Sequence, residues 1–283
     1  MEQLFSRNST APTPKGIPFP EYYPYVMDYR FPLTVASLYI VSVSLLNPNS
    51  NAVSRIVAKQ KGIKETNTKS TPLMTSFVFL HNLALCVFSV ITFINMGSAF
   101  VMNFKNHRDN FTDAYCDRDS SLWNSALGYW GYFFYLSKFY EVVDTIIILL
   151  KGRRSSFLQT YHHAGAMITM WSGMNFKAPP IWIFVVFNSF IHSIMYAYYA
   201  ATCVGLSPPG KQYLTTMQIT QFLIGTPLAI SYLFVDNCLT DTARFATYIN
   251  VAYLLPLTLL FINFAKNMYG NKNKTFKKVK KID

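Results

Sequence analysis

Charged side chains are scarce in this chain of 283 residues. Asp, Glu, Lys and Arg make up 13% of it, whereas 51% of the residues are hydrophobic. Ordinary soluble domains carry roughly a quarter charged residues, so this composition argues against a soluble globular protein. Acidic residues are scarcer still, 13 against 25 basic ones, which gives a formal net charge of +12. The basic residues stand in short runs between apolar stretches, a pattern typical of membrane loops and not of a nucleic-acid-binding surface.

The sequence shows no internal repeat and no low-complexity tract. Residues 1–30 are polar and rich in proline, without an apolar core preceded by positive charge, so no cleavable signal peptide is expected. Seven apolar stretches approach the length of about 20 residues that a membrane-spanning helix needs. They cover residues 32–48, 72–101, 122–150, 156–174, 181–204, 213–235 and 245–264. We therefore expect an all-α polytopic membrane protein in which residues 1–283 form a single domain.

The distribution of Lys and Arg predicts the orientation of this domain. Basic residues cluster after the first span, after the third span and in the tail at 265–283, which all lie on one side of a seven-span chain. By the positive-inside rule that side is cytosolic, and residues 1–31 then face the lumen or the exterior. The sequons at Asn8 and Asn110 fall on the lumenal side and are the expected glycosylation sites. A third sequon, at Asn273, falls in the cytosolic tail and should stay unused.

Cysteine is rare, with four residues in the whole chain. Cys116 and Cys238 lie in predicted lumenal loops, where a disulfide bond can form and persist, so we expect them to be bonded to each other. Two unpaired thiols are the alternative. Cys86 and Cys203 lie within spans and away from the polar residues described next, so a thiol nucleophile is not expected.

Polar side chains recur at helical spacing in four of the predicted spans, near their cytosolic ends. They are Lys138, Glu141, Asp144 and Thr145 in the third span, Gln159, His162 and His163 in the fourth, Asn188, His192, Tyr196 and Tyr199 in the fifth, and Thr216, Gln218 and Gln221 in the sixth. Residues three or four apart share one side of a helix. Ionisable groups within a membrane are costly and mark functional sites, so these spans are expected to converge on one site.

Several chemistries remain open for such a cluster. Imidazole binds iron and zinc, but a membrane di-iron oxygenase needs more histidine ligands than the five in this chain. A mixed metal site with Glu141 and Asp144 stays conceivable. Histidines without metal favour acid–base chemistry or nucleophilic attack on a thioester, which gives an acyl-imidazole. The structural alternatives are an ion pair between Lys138 and Glu141, packing for His81, and interface anchoring for the tyrosines at 196–199.

Four motifs in order resemble those of the ELO family of very-long-chain fatty-acid elongases. Lys138-Phe-Tyr-Glu-Val-Val-Asp-Thr is similar to the family's KxxExxDT motif, and Gln159-Thr-Tyr-His-His stands at its HxxHH box. Asn188-Ser-Phe-Ile-His-Ser-Ile-Met-Tyr-Ala-Tyr-Tyr resembles NxxxHxxMYxYY, and the run with Gln218 and Gln221 resembles TxxQxxQ. The chain departs from the usual pattern at Gln159, where most members have His.

This resemblance implies a condensing enzyme of the endoplasmic reticulum membrane. Acyl-CoA and malonyl-CoA combine with loss of carbon dioxide to give a 3-ketoacyl-CoA that is two carbons longer. No metal or redox cofactor is implied. Spans two to seven are expected to form a six-helix barrel around an acyl tunnel, with span one outside it. The expected partners are the ketoreductase, dehydratase and enoyl reductase of the cycle, together with membrane lipid, and a homodimer is conceivable.

The resemblance also suggests roles for individual residues. We expect His162 to be the nucleophile, with His163 and His192 as acid–base or positioning partners, oriented by Gln159 and Asn188. Lys138 and Lys211, with the basic turn at 151–154, would meet the anionic CoA. The remaining expected substrate-binding residues are Glu141, Asp144, Tyr196, Tyr199, Gln218 and Gln221.

The chain ends in Lys280-Lys281-Ile282-Asp283, which resembles the dilysine retrieval signal of endoplasmic-reticulum membrane proteins. Attraction to anionic lipid is the alternative explanation for this basic tail. Two other functions are kept as rivals to the elongase. One is a seven-span transporter or receptor, and the other is a metal-dependent lipid hydroxylase or desaturase.

Overall fold

The structure is a computed structural model, and it describes residues 12–48 and 71–270. Within those ranges every regular element is a helix, which confirms the predicted all-α class. The described residues form eight helices of nine residues or more: α1 Arg30–Leu46, α2 Pro72–Asn106, α3 Gly128–Tyr140, α4 Val142–Leu150, α5 Phe157–Asn175, α6 Ile181–Cys203, α7 Lys211–Ser231 and α8 Asp241–Ala265. The expected sites at Asn8, Lys280 and Lys281 lie outside the described residues.

Each of the seven predicted spans coincides with helical structure, but the third is not a single regular helix. A π-helical turn at Trp123–Leu127 leads into α3, and the helix is interrupted at Glu141 before α4 begins. Turns of the π type within a helix occur often at functional sites. The interruption falls inside the KxxExxDT motif, so the local backbone is irregular where the polar residues concentrate.

Four helices in the described part of the chain are long and apolar enough to cross a membrane: Pro72–Asn106, Ile181–Cys203, Lys211–Phe234 and Asp241–Tyr269. The pair Pro20–Met27 and Arg30–Leu46, bent by 64°, makes a fifth if it counts as one span. The third predicted span is not in this group because it is divided into short helices. The fourth, α5, is not in it because Gln159, His162 and His163 lower its hydropathy. The structure therefore supports a multi-pass membrane protein with four or five helices of clear spanning character.

Helix contacts bring the polar spans together. α2 packs along α6, α6 against α7, α7 against α8, α8 against α5 and α5 against α3, while α3 also contacts α2. α1 packs against α5. Gly165 on α5 allows α8 to come close, because a β-carbon at this position would overlap the ring of Tyr253. Small residues at helix contacts are typical of membrane proteins, in which the hydrophobic effect does not drive helices together.

A disulfide bond joins Cys116 and Cys238, which are 122 residues apart in the sequence. It connects the segment before α3 to the segment before α8. Beside it, the hydroxyl of Tyr232 donates to the backbone carbonyl of Tyr115 at 2.9 Å, and the two rings stack with centroids 4.0 Å apart. Cys86 and Cys203 are free thiols.

We expect the double substitution Cys116→Ser with Cys238→Ser to lower the free energy of unfolding by about 2–5 kcal/mol, because the open chain gains conformational freedom when unfolded. Thermal unfolding of the purified protein in detergent measures this effect. Cys203→Ser is the matched control and should leave the midpoint unchanged. An unchanged midpoint in the double variant would contradict a stabilising role for the bond.

Candidate active site

The centre of the site is a buried ion pair between Lys138 and Glu141. Lys138 Nζ lies 2.7 Å from Glu141 Oε1 and donates a second hydrogen bond to Asn188 Oδ1 of α6 at 3.1 Å. The ammonium also lies 3.8 Å from the centroid of the Phe134 ring. Lys138 is 3% and Glu141 2% exposed. Burial of a charge is costly unless it is paired and hydrogen-bonded, and each of these two groups provides that partner for the other.

Two histidines from different helices meet this carboxylate. His192 Nδ1 of α6 lies 3.7 Å from Glu141 Oε1. One carboxylate oxygen of Glu141 and one ring nitrogen each of His162 and His192 lie within 4.8 Å of one another. The other carboxylate oxygen, Oε2, is buried and has no hydrogen-bond partner among the described residues. The predicted convergence of the third, fourth and fifth spans is therefore present in the structure.

These three residues are also the one group in the described chain that could hold a metal ion. A zinc ion would need each donor atom at about 2.0–2.2 Å. Glu141 Oε1 already accepts a hydrogen bond of 2.7 Å from the ammonium of Lys138. A metal cation bound to the same oxygen would be repelled by this positive charge. Asp144, the other carboxylate of the conceivable mixed site, is bonded elsewhere. This donor chemistry fits a charge-paired acid–base site better than a metal centre.

The adjacent histidines of α5 have different partners. His163 Nε2 accepts a hydrogen bond of 2.8 Å from the side-chain amide of Gln159, one turn earlier. His163 Nδ1 is buried without a hydrogen-bond partner among the described residues. His162 Nδ1 instead lies 3.1 Å from the hydroxyl oxygen of Tyr253 on α8. No motif in the sequence pointed to Tyr253, because a tyrosine in an apolar helix carries no distinctive signal.

Asp144 belongs to a second network next to the first. Its Oδ1 lies 2.9 Å from His81 Nε2 of α2, and its Oδ2 accepts a hydrogen bond of 2.7 Å from Tyr196. The other nitrogen of His81 lies 3.2 Å from the hydroxyl of Tyr140. The expectation of a single row of Lys138, Glu141 and Asp144 thus needs correction, since Asp144 has different partners. His81 is buried as expected for packing, but it also holds a carboxylate of the motif.

A cavity opens beside the ion pair. Its polar end is lined by Lys138, His162, Asn188 and Tyr253, and its walls are mostly apolar, with Phe134, Met170, Ile183, Phe184, Phe187, Phe222, Leu254 and Leu257. The cavity has a volume of about 50 Å³. Gln221 also lines it, and the amide oxygen of this residue is buried without a partner in the described structure. The lining suits a ligand whose apolar part contacts these walls and whose polar group lies beside Lys138 and His162.

Other expected residues lie farther from this centre. Lys211 begins α7 with an exposed side chain, Tyr199 is 38% exposed, and the amide of Gln218 lies 3.3 Å from the sulfur of Met195. Asn110 caps the helix Phe111–Cys116 and bonds to Asp113. Glycosylation of Asn110 and substrate binding by the other three residues stay predictions.

Comparison with known proteins identifies the family. Residues 24–277 match the model of the ELO family, described as the GNS1/SUR4 family. The chain belongs to the ELO family. The resemblance inferred from the four motifs is thereby confirmed, and the match covers the whole site.

Curated relatives of this ELO protein include several proteins named as fatty acid elongases. Fatty acid elongase sre1 of Dictyostelium discoideum is 28% identical over 264 residues, which cover 90% of each chain. Fatty acid elongase A of the same organism is 30% identical over 209 residues, or 71% of this chain and 75% of the relative. Fatty acid elongase 2 of Trypanosoma brucei brucei is 28% identical over 217 residues, which are 71% and 79% of the two chains.

We expect Lys138→Met in this ELO protein to lower the free energy of unfolding by about 3–5 kcal/mol, because it leaves the Glu141 carboxylate buried and unpaired. The double variant Lys138→Met with Glu141→Leu should recover most of that loss, since both charges are removed. Denaturant or thermal unfolding in detergent provides the measurement. Lys211→Met, at an exposed position, is the control with little expected effect. Additive losses in the double variant would show that the pair is not coupled.

Proposed function

We propose that this ELO protein catalyses the condensing step of fatty-acid elongation. An acyl-CoA and malonyl-CoA give a 3-ketoacyl-CoA two carbons longer, carbon dioxide and free CoA. The relatives named as fatty acid elongases support this reaction. The observation that carries it is the cavity, which has reactive and charged groups at one end and apolar side chains along its walls. An acyl chain requires such walls, and its thioester would lie beside His162.

In the first half-reaction His162 attacks the thioester. The lone pair of its unprotonated ring nitrogen forms a bond to the carbonyl carbon, and the carbon–sulfur bond breaks with its electrons going to sulfur. The proton lost from the imidazole completes the CoA thiol. His162 lines the cavity and is only partly buried, so a substrate carbonyl can reach it. His163 and His192, which are 4% and 6% exposed, are less accessible for this attack.

In the second half-reaction malonyl-CoA loses carbon dioxide, and the electrons of the broken carbon–carbon bond form an enolate. The enolate carbon attacks the acyl carbon, and the bond to His162 breaks, after which one proton from solvent restores the imidazole. Asn188 accepts from Lys138 through its oxygen, so its amide N–H groups remain available as donors to the developing oxyanion. His192 lies beside Glu141 and can serve as the acid–base partner.

The finer architecture belongs to the same proposal. The sequence of helix contacts from α2 through α6, α7, α8, α5 and α3 supports a six-helix barrel around the cavity, with α1 peripheral. We infer an endoplasmic-reticulum location with the N-terminus in the lumen and the C-terminus in the cytosol. The bond between Cys116 and Cys238 supports an oxidising environment for the loops that carry them. The exposed basic residues at 151–154 would then meet CoA on the cytosolic side.

The proposed activity also implies a set of partners. No resident cofactor is required, because both half-reactions use the substrates' own bonds. The ketoreductase, dehydratase and enoyl reductase would process the product, and membrane lipid surrounds the exposed apolar faces of α1 and α2, such as Leu38 and Leu80. A homodimer, which the family resemblance suggests, belongs to the same proposal.

We expect His162→Ala to reduce condensation by at least about 100-fold, because it removes the nucleophile and a proton-transfer group. Incorporation of carbon-14 from malonyl-CoA across a panel of acyl-CoAs measures the reaction in purified protein. His107→Ala is the control, since His107 bonds to Asp119 away from the cavity. Full activity of His162→Ala would overturn the assignment of the nucleophile.

We expect Lys280→Ser with Lys281→Ser to move the protein from the endoplasmic reticulum to later compartments, because the proposed retrieval signal is removed. Microscopy of a tagged protein, with the tag placed away from the C-terminus, gives the answer. The control is Lys277→Ser with Lys278→Ser, which removes the same charge but leaves the last four residues unchanged, and it should stay in the endoplasmic reticulum. An unaltered location of the first variant would favour lipid attraction as the role of the tail.

A further inference from the structure

Tyr253 lies at the junction between α8 and the nucleophilic end of α5. Its ring stacks on Tyr161, with centroids 5.5 Å apart and planes 21° from parallel. The Tyr161 hydroxyl donates to the backbone carbonyl of Tyr253 at 3.3 Å, and the Tyr253 hydroxyl donates to the backbone carbonyl of His162 at 2.9 Å. Gly165 leaves the space that the Tyr253 ring occupies. The position of the Tyr253 hydroxyl is thus determined by the stacked ring of Tyr161 and by the close approach at Gly165.

The same hydroxyl oxygen lies 3.1 Å from His162 Nδ1. A tyrosine hydroxyl has one hydrogen to donate, and its oxygen can accept further hydrogen bonds. This hydrogen can serve only one of the two contacts, so both are hydrogen bonds only if the hydroxyl donates to the carbonyl of His162 and a protonated Nδ1 donates to the hydroxyl oxygen. The network therefore assigns the tautomer, in which Nδ1 is protonated and Nε2 holds the lone pair.

We propose that Tyr253 is a positioning residue that holds His162 in the Nδ1-protonated tautomer and so makes Nε2 the attacking nitrogen. This inference rests on the proposed function, in which His162 is acylated. The acyl carbon forms its bond to Nε2, the carbon–sulfur bond breaks, and the proton that leaves Nδ1 completes the CoA thiol. Once Nδ1 has lost its proton, the Tyr253 hydroxyl can turn from the carbonyl and donate to Nδ1.

Tyr161 offers a matched control for this role. It belongs to the same stacked pair, but its hydroxyl donates to the backbone carbonyl of Tyr253 and not to the His162 ring. If the two tyrosines only hold α5 to α8, removal of either hydroxyl should have similar consequences. If Tyr253 sets the tautomer, removal of its hydroxyl alone should slow attack on the thioester.

The kinetic test compares Tyr253→Phe with Tyr161→Phe, which both keep the stacked rings. Each purified protein is mixed with the acyl-CoA that the wild type uses fastest, without malonyl-CoA, and the single-turnover release of CoA thiol is followed. We expect release to be at least about tenfold slower in Tyr253→Phe, as one lost hydrogen bond on the reacting group predicts, and within about twofold of wild type in Tyr161→Phe. Equal rates in the two variants would overturn the inference.

A spectroscopic measurement on the unmodified protein tests the tautomer directly. In protein labelled with nitrogen-15 at histidine, protonated and unprotonated ring nitrogens have separate signals, and the His162 signals are those missing from His162→Ala. We expect Nδ1 protonated and Nε2 unprotonated in the wild type and in Tyr161→Phe, and a mixture of tautomers in Tyr253→Phe. A proton on Nε2 in the wild type would overturn the inference even if Tyr253→Phe failed to fold.

The two proposals fail in distinguishable ways. If the wild type releases no CoA from acyl-CoA alone and carries no acyl group by mass spectrometry, the covalent route through His162 is wrong. If the wild type is acylated normally but Tyr253→Phe behaves as Tyr161→Phe does, the elongase mechanism stands and the role of Tyr253 is wrong.

Discussion

The pairing of one buried ammonium with one buried carboxylate constrains the rest of the site. Neither Lys138 nor Glu141 can remain charged in an apolar interior without the other, and Lys138 also needs the amide oxygen of Asn188. That second bond ties the register of α6 to that of α3. Because His192 follows Asn188 by four residues, it lies one turn farther along the same face and meets Glu141. The ion pair, through Asn188, therefore brings His192 to the Glu141 carboxylate.

Much of this arrangement could be predicted from helical spacing. The polar residues of three spans share faces, and the high cost of burying them in a membrane requires that they face one another, so Lys138, Asn188, His162 and His192 were expected together. The three-residue spacing of Lys138, Glu141 and Asp144 led to a wrong prediction, namely that all three side chains share one side of the helix. Steps of three residues in a helix of 3.6 residues per turn drift steadily, so positions six apart are about 120° apart around the axis. Asp144 consequently faces His81 and Tyr196.

The sequence did not predict the hydrogen-bond partners that come from neighbouring helices, because those residues belong to no recognisable motif. Tyr253 lies in an apolar helix, and its relation to His162 depends on the close approach of α5 and α8 at Gly165. His81 looked like an isolated packing residue because its carboxylate partner is 63 residues away in the sequence. Two of the predicted spans that carry polar groups of the site lack clear spanning character: the third, which is divided into α3 and α4, and the fourth, which is α5. α6 carries Asn188 and His192 and is still long and apolar enough to cross a membrane.

The departure of the chain from the HxxHH box can be understood from the bond that Gln159 makes. Its amide N–H donates to Nε2 of His163, and an imidazole N–H at that position could supply the same donor. A proton-transfer role could not survive replacement by an amide, which does not titrate, whereas a donor role can. With Nε2 occupied, the proton of neutral His163 lies on Nδ1, which is buried. The two adjacent histidines thus share a tautomer but differ in access, since the Nε2 lone pair of His163 is bonded to Gln159 and that of His162 is left for the substrate.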